Sequence, residues 1–196
     1  MFLLGTPTDD RIRRVLETQR RSPFSYSSRG ATRTLLPAGY EVQRAQFLLG
    51  EGSLVFYKAK QAVQRWRMFD IAWVRLYWPS TPIAARNIMA ILVGGFGVWM
   101  VNVCRIVYVI DEPRRYGFAY GTLSEHAEAG EERFLVEWRD DNSVWYEVLA
   151  ISREKHPLAK IAYPIARRLQ KKFRRDSRLA MQRASEVGNT GALQRS

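Results

Sequence analysis

Residues 87–104 read NIMAILVGGFGVWMVNVC, a run without a charged side chain. Such a run is either a membrane-spanning helix or a pair of strands folded back on each other. A spanning helix needs about 20 consecutive apolar residues, and this run is shorter. Gly94, Gly95 and Gly97 cluster near its middle, where glycine weakens a helix and favours a hairpin turn. The segment from Val98 to Ile110 is rich in Val, Ile and Tyr, a strand composition. The run is therefore expected to form two strands, about 86–93 and 98–110, joined at the glycines.

Working outward, the neighbouring segments alternate as an antiparallel sheet requires. Upstream, IAWVRLYW (71–78) is β-branched and aromatic and ends at Pro79. Before it, Val55, Ala59, Ala62, Val63, Trp66 and Phe69 recur at helical spacing, with Phe69 near or just past the helix end. Tyr40–Leu49 suits a strand entered from the LPAGY turn. Thr8–Arg21 suits a short helix, with Asp9 and Asp10 at its start and Arg20 and Arg21 at its end. Downstream, DEPRR is a turn, and Tyr116–Leu123 alternates large and small residues. EERFLVEWRD and SVWYEVLAIS then form two strands around an Asp141-Asn142 turn. Leu158, Ile161, Ala162, Ile165 and Leu169 mark a long helix from Pro157 to about Ala184, which Pro164 should kink or divide. Residues 187–196 read as a disordered tail. The expected architecture is α+β: seven antiparallel strands around a long C-terminal helix, with an extra N-terminal helix. Residues 1–22 form an N-terminal helix and arm, and 23–186 one domain.

Composition narrows the function. The 196 residues carry a formal net charge of +12, with 46% hydrophobic and 26% charged residues. That suits a globular chain attracted to anionic surfaces. The lone Cys104 allows neither an intrachain disulfide nor a cysteine-based zinc site, and its apolar setting suggests a buried thiol. No metal or cofactor motif is apparent, and the first residues lack a signal-peptide pattern. A cytoplasmic protein is expected. Charge is segregated: nine Lys and Arg face one acid between Leu158 and Arg183, against ten acids and four bases between Asp111 and Glu147. The basic helix suggests non-specific contact with anionic surfaces rather than sequence-specific nucleic-acid binding.

Three phrases carry a family resemblance: LPAGYEVQRAQFLLGEG, CRIVYVIDEPRRYGFAYGTLSEHAEAGEERFLVE and AISREKHPLAKIAYPIARRLQ. They resemble the uncharacterised family catalogued as domain of unknown function 1990. The family's pattern covers about 23–183 and diverges between Pro82 and Gly95. It brings no established reaction, so it assigns no catalytic residue. Independently, the element order resembles the helix-grip fold of the START, Bet v 1 and polyketide-cyclase superfamily. That resemblance implies a cavity between sheet and terminal helix.

Candidate site residues follow from the last hairpin. If Asp140 pairs with Ser143, alternation places Glu132, Phe134, Val136, Trp138, Trp145, Glu147, Leu149 and Ile151 on one face. That face is the more apolar and is expected to line a cavity, with Trp138 opposite Trp145. Glu147 would then be a carboxylate among apolar rings: either an internal ion pair, with Arg105 as a partner, or a polar ligand anchor. Glu131 and Glu132 are adjacent on a strand, so they face opposite ways and cannot act as a catalytic pair. Tyr116, Phe118 and Tyr120 share a face, as core or pocket wall. His126 lies in a loop, as a solvated residue or a base at a cavity mouth. The expected site is Glu147, Trp138, Trp145, Phe134, Leu149, Tyr120, Arg105 and His126. The expected function is a non-enzymatic module binding an apolar small molecule or lipid. A cyclase- or hydrolase-like enzyme using the same cavity, or a basic interaction protein without a cavity, are the alternatives.

Overall fold

The computed structural model describes residues 2–78, 80–95, 97–124, 128–154 and 159–186. The run at 87–104 is a hairpin. Strand β4 (Ile88–Gly95) and strand β5 (Val98–Glu112) pair antiparallel, with Gly95 opposite Val98. Gly94 has φ +155°, and a Cβ there would sit 2.2 Å from the Val98 carbonyl oxygen, so the turn demands glycine. Among the described residues no helix is long and apolar enough to cross a membrane.

The other expected strands are β2 (Glu41–Glu51), β3 (Val74–Tyr77), β6 (Arg115–Thr122), β7 (Glu128–Trp138) and β8 (Ser143–Glu154). The sheet runs β2-β8-β7-β6-β5-β4-β3, with every pairing antiparallel. One strand was not anticipated. β1 (Phe2–Leu4) pairs with Val98–Met100 at the start of β5; three residues are too few to show a period of two.

Each sheet face carries its own core. The inner face is covered by α2 (Gly52–Gln64) and α3 (Ala159–Ser185). Val55, Phe56, Ala59, Ala62 and Val63 of α2 pack there against Phe118, Phe134, Val136 and Tyr146. A 3-10 turn at Arg67–Phe69 follows α2, so Phe69 does lie just past the helix. Trp66 between them adopts a left-handed φ of 58°, an uncommon conformation for a bulky residue. Its burial compensates: the indole donates to the Thr81 carbonyl at 3.0 Å, and the ring meets Phe118 edge-on at 4.9 Å. The outer face carries α1 (Asp9–Gln19), whose Ile12 and Leu16 pack with Leu3, Leu92, Trp99, Val101 and Leu123. Thr8 caps that helix by accepting from the Arg11 N–H.

α3 is one helix through Pro164, which does not divide it. Its inner edge includes Phe173, Ser177, Ala180 and Met181. A sheet gripping a long C-terminal helix from one side is the helix-grip arrangement expected from the element order. The tail 187–196 and His126 lie outside the described residues.

Candidate functional site

The β7–β8 hairpin sets the site, and its register corrects the expected faces. Arg139, not Asp140, pairs with Ser143: the Arg139 N–H donates to the Ser143 carbonyl at 2.9 Å, and the Asn142 N–H to the Arg139 carbonyl at 3.1 Å. The loop has three residues, 140–142, and Asn142 takes the left-handed φ of 69° that closes such loops. The Asp141 carboxylate accepts from the Ser143 N–H at 3.0 Å and fixes the turn. This one-residue slip turns all of β8 over relative to β7. Trp138 faces Val144, Phe134 faces Val148, and Glu147 faces Leu135.

The expected site is thereby divided. Phe134, Tyr120 and Trp138 stay on the inner side; Trp138 stacks on Phe56 at 6.1 Å. Glu147, Trp145 and Leu149 move to the outer side. Trp145 lies opposite Glu137, not Trp138, and carries the Arg139 guanidinium on its ring at 4.5 Å. Glu147 is an internal ion pair, but with Arg133 rather than Arg105; Arg44 at 3.4 Å and the Gln46 amide at 2.8 Å complete its shell. Arg105 also points outward. It donates to the carbonyls of Ser22 at 2.9 Å and Arg20 at 2.8 Å, closing the C-terminal end of α1.

Glu131 is a second outward carboxylate, 2% exposed. It accepts from Tyr26 Oη at 2.8 Å, Gly30 N–H at 2.8 Å, Thr32 N–H at 3.1 Å and the Thr32 hydroxyl. These bonds pin the Ser- and Gly-rich segment 25–34 onto the outer face. Gly121 makes the fit possible, since a Cβ there would meet Tyr26 Oη at 2.1 Å.

Glu132 faces inward, as strand alternation from Glu131 requires. It stands opposite Tyr120, whose hydroxyl donates to its carboxylate. Among the described residues Glu132 has no ion pair. Burial pushes its carboxyl up from the ordinary 4.5 to about 7, despite the Tyr120 hydrogen bond and the Arg174 charge that oppose the shift. Burial also pushes up the neighbouring Cys104 thiol and the Tyr120 and Tyr146 hydroxyls, each further disfavoured as an anion by Glu132. Tyr146 pairs with Ser177 of α3 at 2.7 Å. Above this group, α3 is held by polar contacts: Arg174 donates to Gln43, and the Gln43 amide donates to Gln170 at 2.9 Å.

Comparison with known proteins places the chain. The family described as domain of unknown function (DUF1990) matches residues 25–180. A UPF0548 protein of Dictyostelium discoideum is 33% identical over 199 residues, covering 90% of this chain and 92% of that protein. A UPF0548 protein of Deinococcus radiodurans is also 33% identical, covering 88% and 92%. The chain belongs to the DUF1990 family. Among solved structures, a hypothetical protein of Helicobacter pylori, jhp0584, superposes with a TM-score of 0.55 at 11% identity, covering 84% of this chain and 96% of that one. That likeness shows the fold alone.

For this DUF1990 chain the residue that sequence reasoning passed over is Glu132. Alternation had already set it beside Phe134, but the misplaced hairpin register drew attention to Glu147. Between sheet and α3, Phe69, Phe118, Phe134 and Phe173 pack against one another, with ring centroids 5.5–6.2 Å apart. A cleft of about 570 Å³ opens elsewhere, beside the edge strand β3, lined by Trp66, Phe69, Ile71 and Leu76 among others. None of the described residues of the expected site borders it.

Proposed function

We propose that this protein is a non-enzymatic binding module of the cytoplasm. It holds an apolar small molecule or lipid between the sheet and α3, with the polar end of the ligand on Glu132 and Tyr120. The observation that carries this reading is the contrast among three neighbouring carboxylates. Glu131 and Glu147 are saturated by donors of the chain itself. Glu132, on the face that α3 covers, has one hydroxyl donor among the described residues, and burial raises its pKa. A carboxyl left this way in an apolar interface costs stability, and a ligand that hydrogen-bonds to it supplies the reason to keep it. Small-molecule sites typically combine apolar walls with a few convergent polar groups, the composition found around Glu132 and Tyr120.

Native mass spectrometry of the purified protein should reveal a bound small molecule, and Glu132→Gln together with Tyr120→Phe should reduce its occupancy. A ligand-free protein that binds no apolar fluorescent probe would overturn the reading. A second reading, a cyclase- or hydrolase-like enzyme, is favoured by the same carboxyl, because a pKa near 7 suits a general acid or base. Loss of turnover without loss of binding in Glu132→Gln would select it.

A further inference from the structure

The outer surface of α3 is not used by the ligand reading, and it has its own chemistry. Between Arg167 and Arg183 there are eight Lys and Arg and one acid, Asp176. That acid is already engaged: it bonds Lys172, Arg175 at 3.1 Å and the Trp73 indole at 2.9 Å. Arg168, Lys171, Arg175, Arg178 and Arg183 are exposed. At 3.6 residues per turn, Arg168, Lys171 and Arg183 share roughly a third of the helix circumference and span about 22 Å of its length.

Apolar groups interrupt this stripe. Leu179, 45% exposed, falls within the same arc, and Leu169, 36% exposed, lies about 40° beyond its edge. α2 packs beside α3 in the same layer, and Lys58 of α2 bonds the Glu186 carbonyl at 2.7 Å. That helix adds Leu54 at 53% and Tyr57 at 58% exposure. Exposed leucines set among basic residues on a helix lying flat on its domain are the pattern of an interfacial helix, where bases meet anionic headgroups and apolar side chains enter the acyl boundary. A single-stranded nucleic-acid surface would instead offer stacking rings, and among the described side chains of the two helices Tyr57 is the one exposed large apolar group that is aromatic.

We propose that the outer surface of α3, with the adjoining α2 residues, docks on the surface of an anionic lipid bilayer. The bases supply the attraction, and Leu169 and Leu179 supply shallow insertion. This does not depend on the ligand reading.

Co-sedimentation of the full chain with phosphatidylcholine vesicles, with and without phosphatidylserine, tests it. Binding should require phosphatidylserine and weaken as salt rises. Neutralising three bases (R168Q, K171Q and R183Q together) should reduce the partition coefficient about a hundredfold, near tenfold or less for each base. L169Q with L179Q should weaken vesicle binding while leaving retention on heparin unchanged. All these positions are exposed, and thermal melts will show whether each variant folds; single substitutions replace any combination that does not. Equal binding to neutral vesicles, or vesicle binding indifferent to the leucines, overturns the proposal. So does preferential binding of mixed-sequence RNA at a salt concentration where phosphatidylserine vesicles are not bound.

Discussion

Glu131, Glu132 and Glu147 stand within two paired strands, and the same functional group meets three different environments. Removing the charge of Glu147 would strand the guanidinium of Arg133, a residue only 8% exposed. Breaking one half of a buried ion pair typically costs 3–5 kcal/mol. Because Gln46 and Arg44 remain, Glu147→Gln should lower stability by about 3 kcal/mol, read as a fall in the denaturation midpoint. Glu132→Gln should do the reverse. Its carboxyl titrates near 7 in the folded protein and near 4.5 when unfolded. Between those values the unfolded chain releases a proton that the folded chain keeps, so stability falls as pH rises from 4.5 to 7 and stays lower above 7. The amide removes that loss and still accepts from Tyr120. Glu132→Gln should match the wild type near pH 4 and exceed it by about 1–3 kcal/mol at pH 8. A lower melting temperature at pH 8 would show that the Glu132 carboxylate is a stabilising group.

Hairpin turns decide much at the level of the element. Gly94 combines a φ that L residues avoid with a backbone oxygen where a Cβ would stand. Gly94→Ala should therefore destabilise by several kcal/mol, about 3 or more, by forcing β4 and β5 apart. Chemical denaturation would show it, and an unchanged midpoint would mean that the hairpin register can slip. The same hairpin was readable from sequence because its glycines and β-branched flanks agree with one another. So were β2, β3, β6 and the helical stripe of α2, where period and turn residues coincide. The β7–β8 loop was not. Asp140-Asp141-Asn142 accommodates a two- or a three-residue turn, and the choice rests on Asn142 adopting a left-handed conformation together with the Asp141–Ser143 bonds. Since side chains alternate with a period of two, that single residue exchanged the faces of Glu147, Trp145 and Leu149. Arg105 escaped for a different reason: its partners are carbonyls of Arg20 and Ser22, distant in sequence, which no local pattern reveals.

Across the whole molecule, the sheet is a shared wall between two layers. The outer layer of α1 and segment 25–34 is tied down by saturated polar contacts and by its own apolar cluster. The inner layer holds α3 differently along its length. Near Met181 it is apolar core, and near Gln170 and Arg174 it is joined to β2 through side-chain amides. Such polar contacts exchange readily with water, since the net gain per hydrogen bond is only about 1 kcal/mol. A ligand lying over Glu132 can therefore gain volume by displacing this part of α3 or the rings beneath it. Phe173 is the ring that α3 itself contributes, half-buried against Phe69 at 5.7 Å and Phe134 at 6.2 Å. Phe173→Ala should cost about 2 kcal/mol, below the range for a fully buried Phe. It should also open space beside Glu132 and Tyr120 that an apolar ligand can occupy. The expected result is a lower melting temperature in isolation, tighter binding of an environment-sensitive apolar dye, and a larger thermal shift on adding that dye than the wild type shows. A variant that is destabilised yet binds dye no better than the wild type would mean that the cavity collapses. The ligand would then have to be sought away from the interface between sheet and α3.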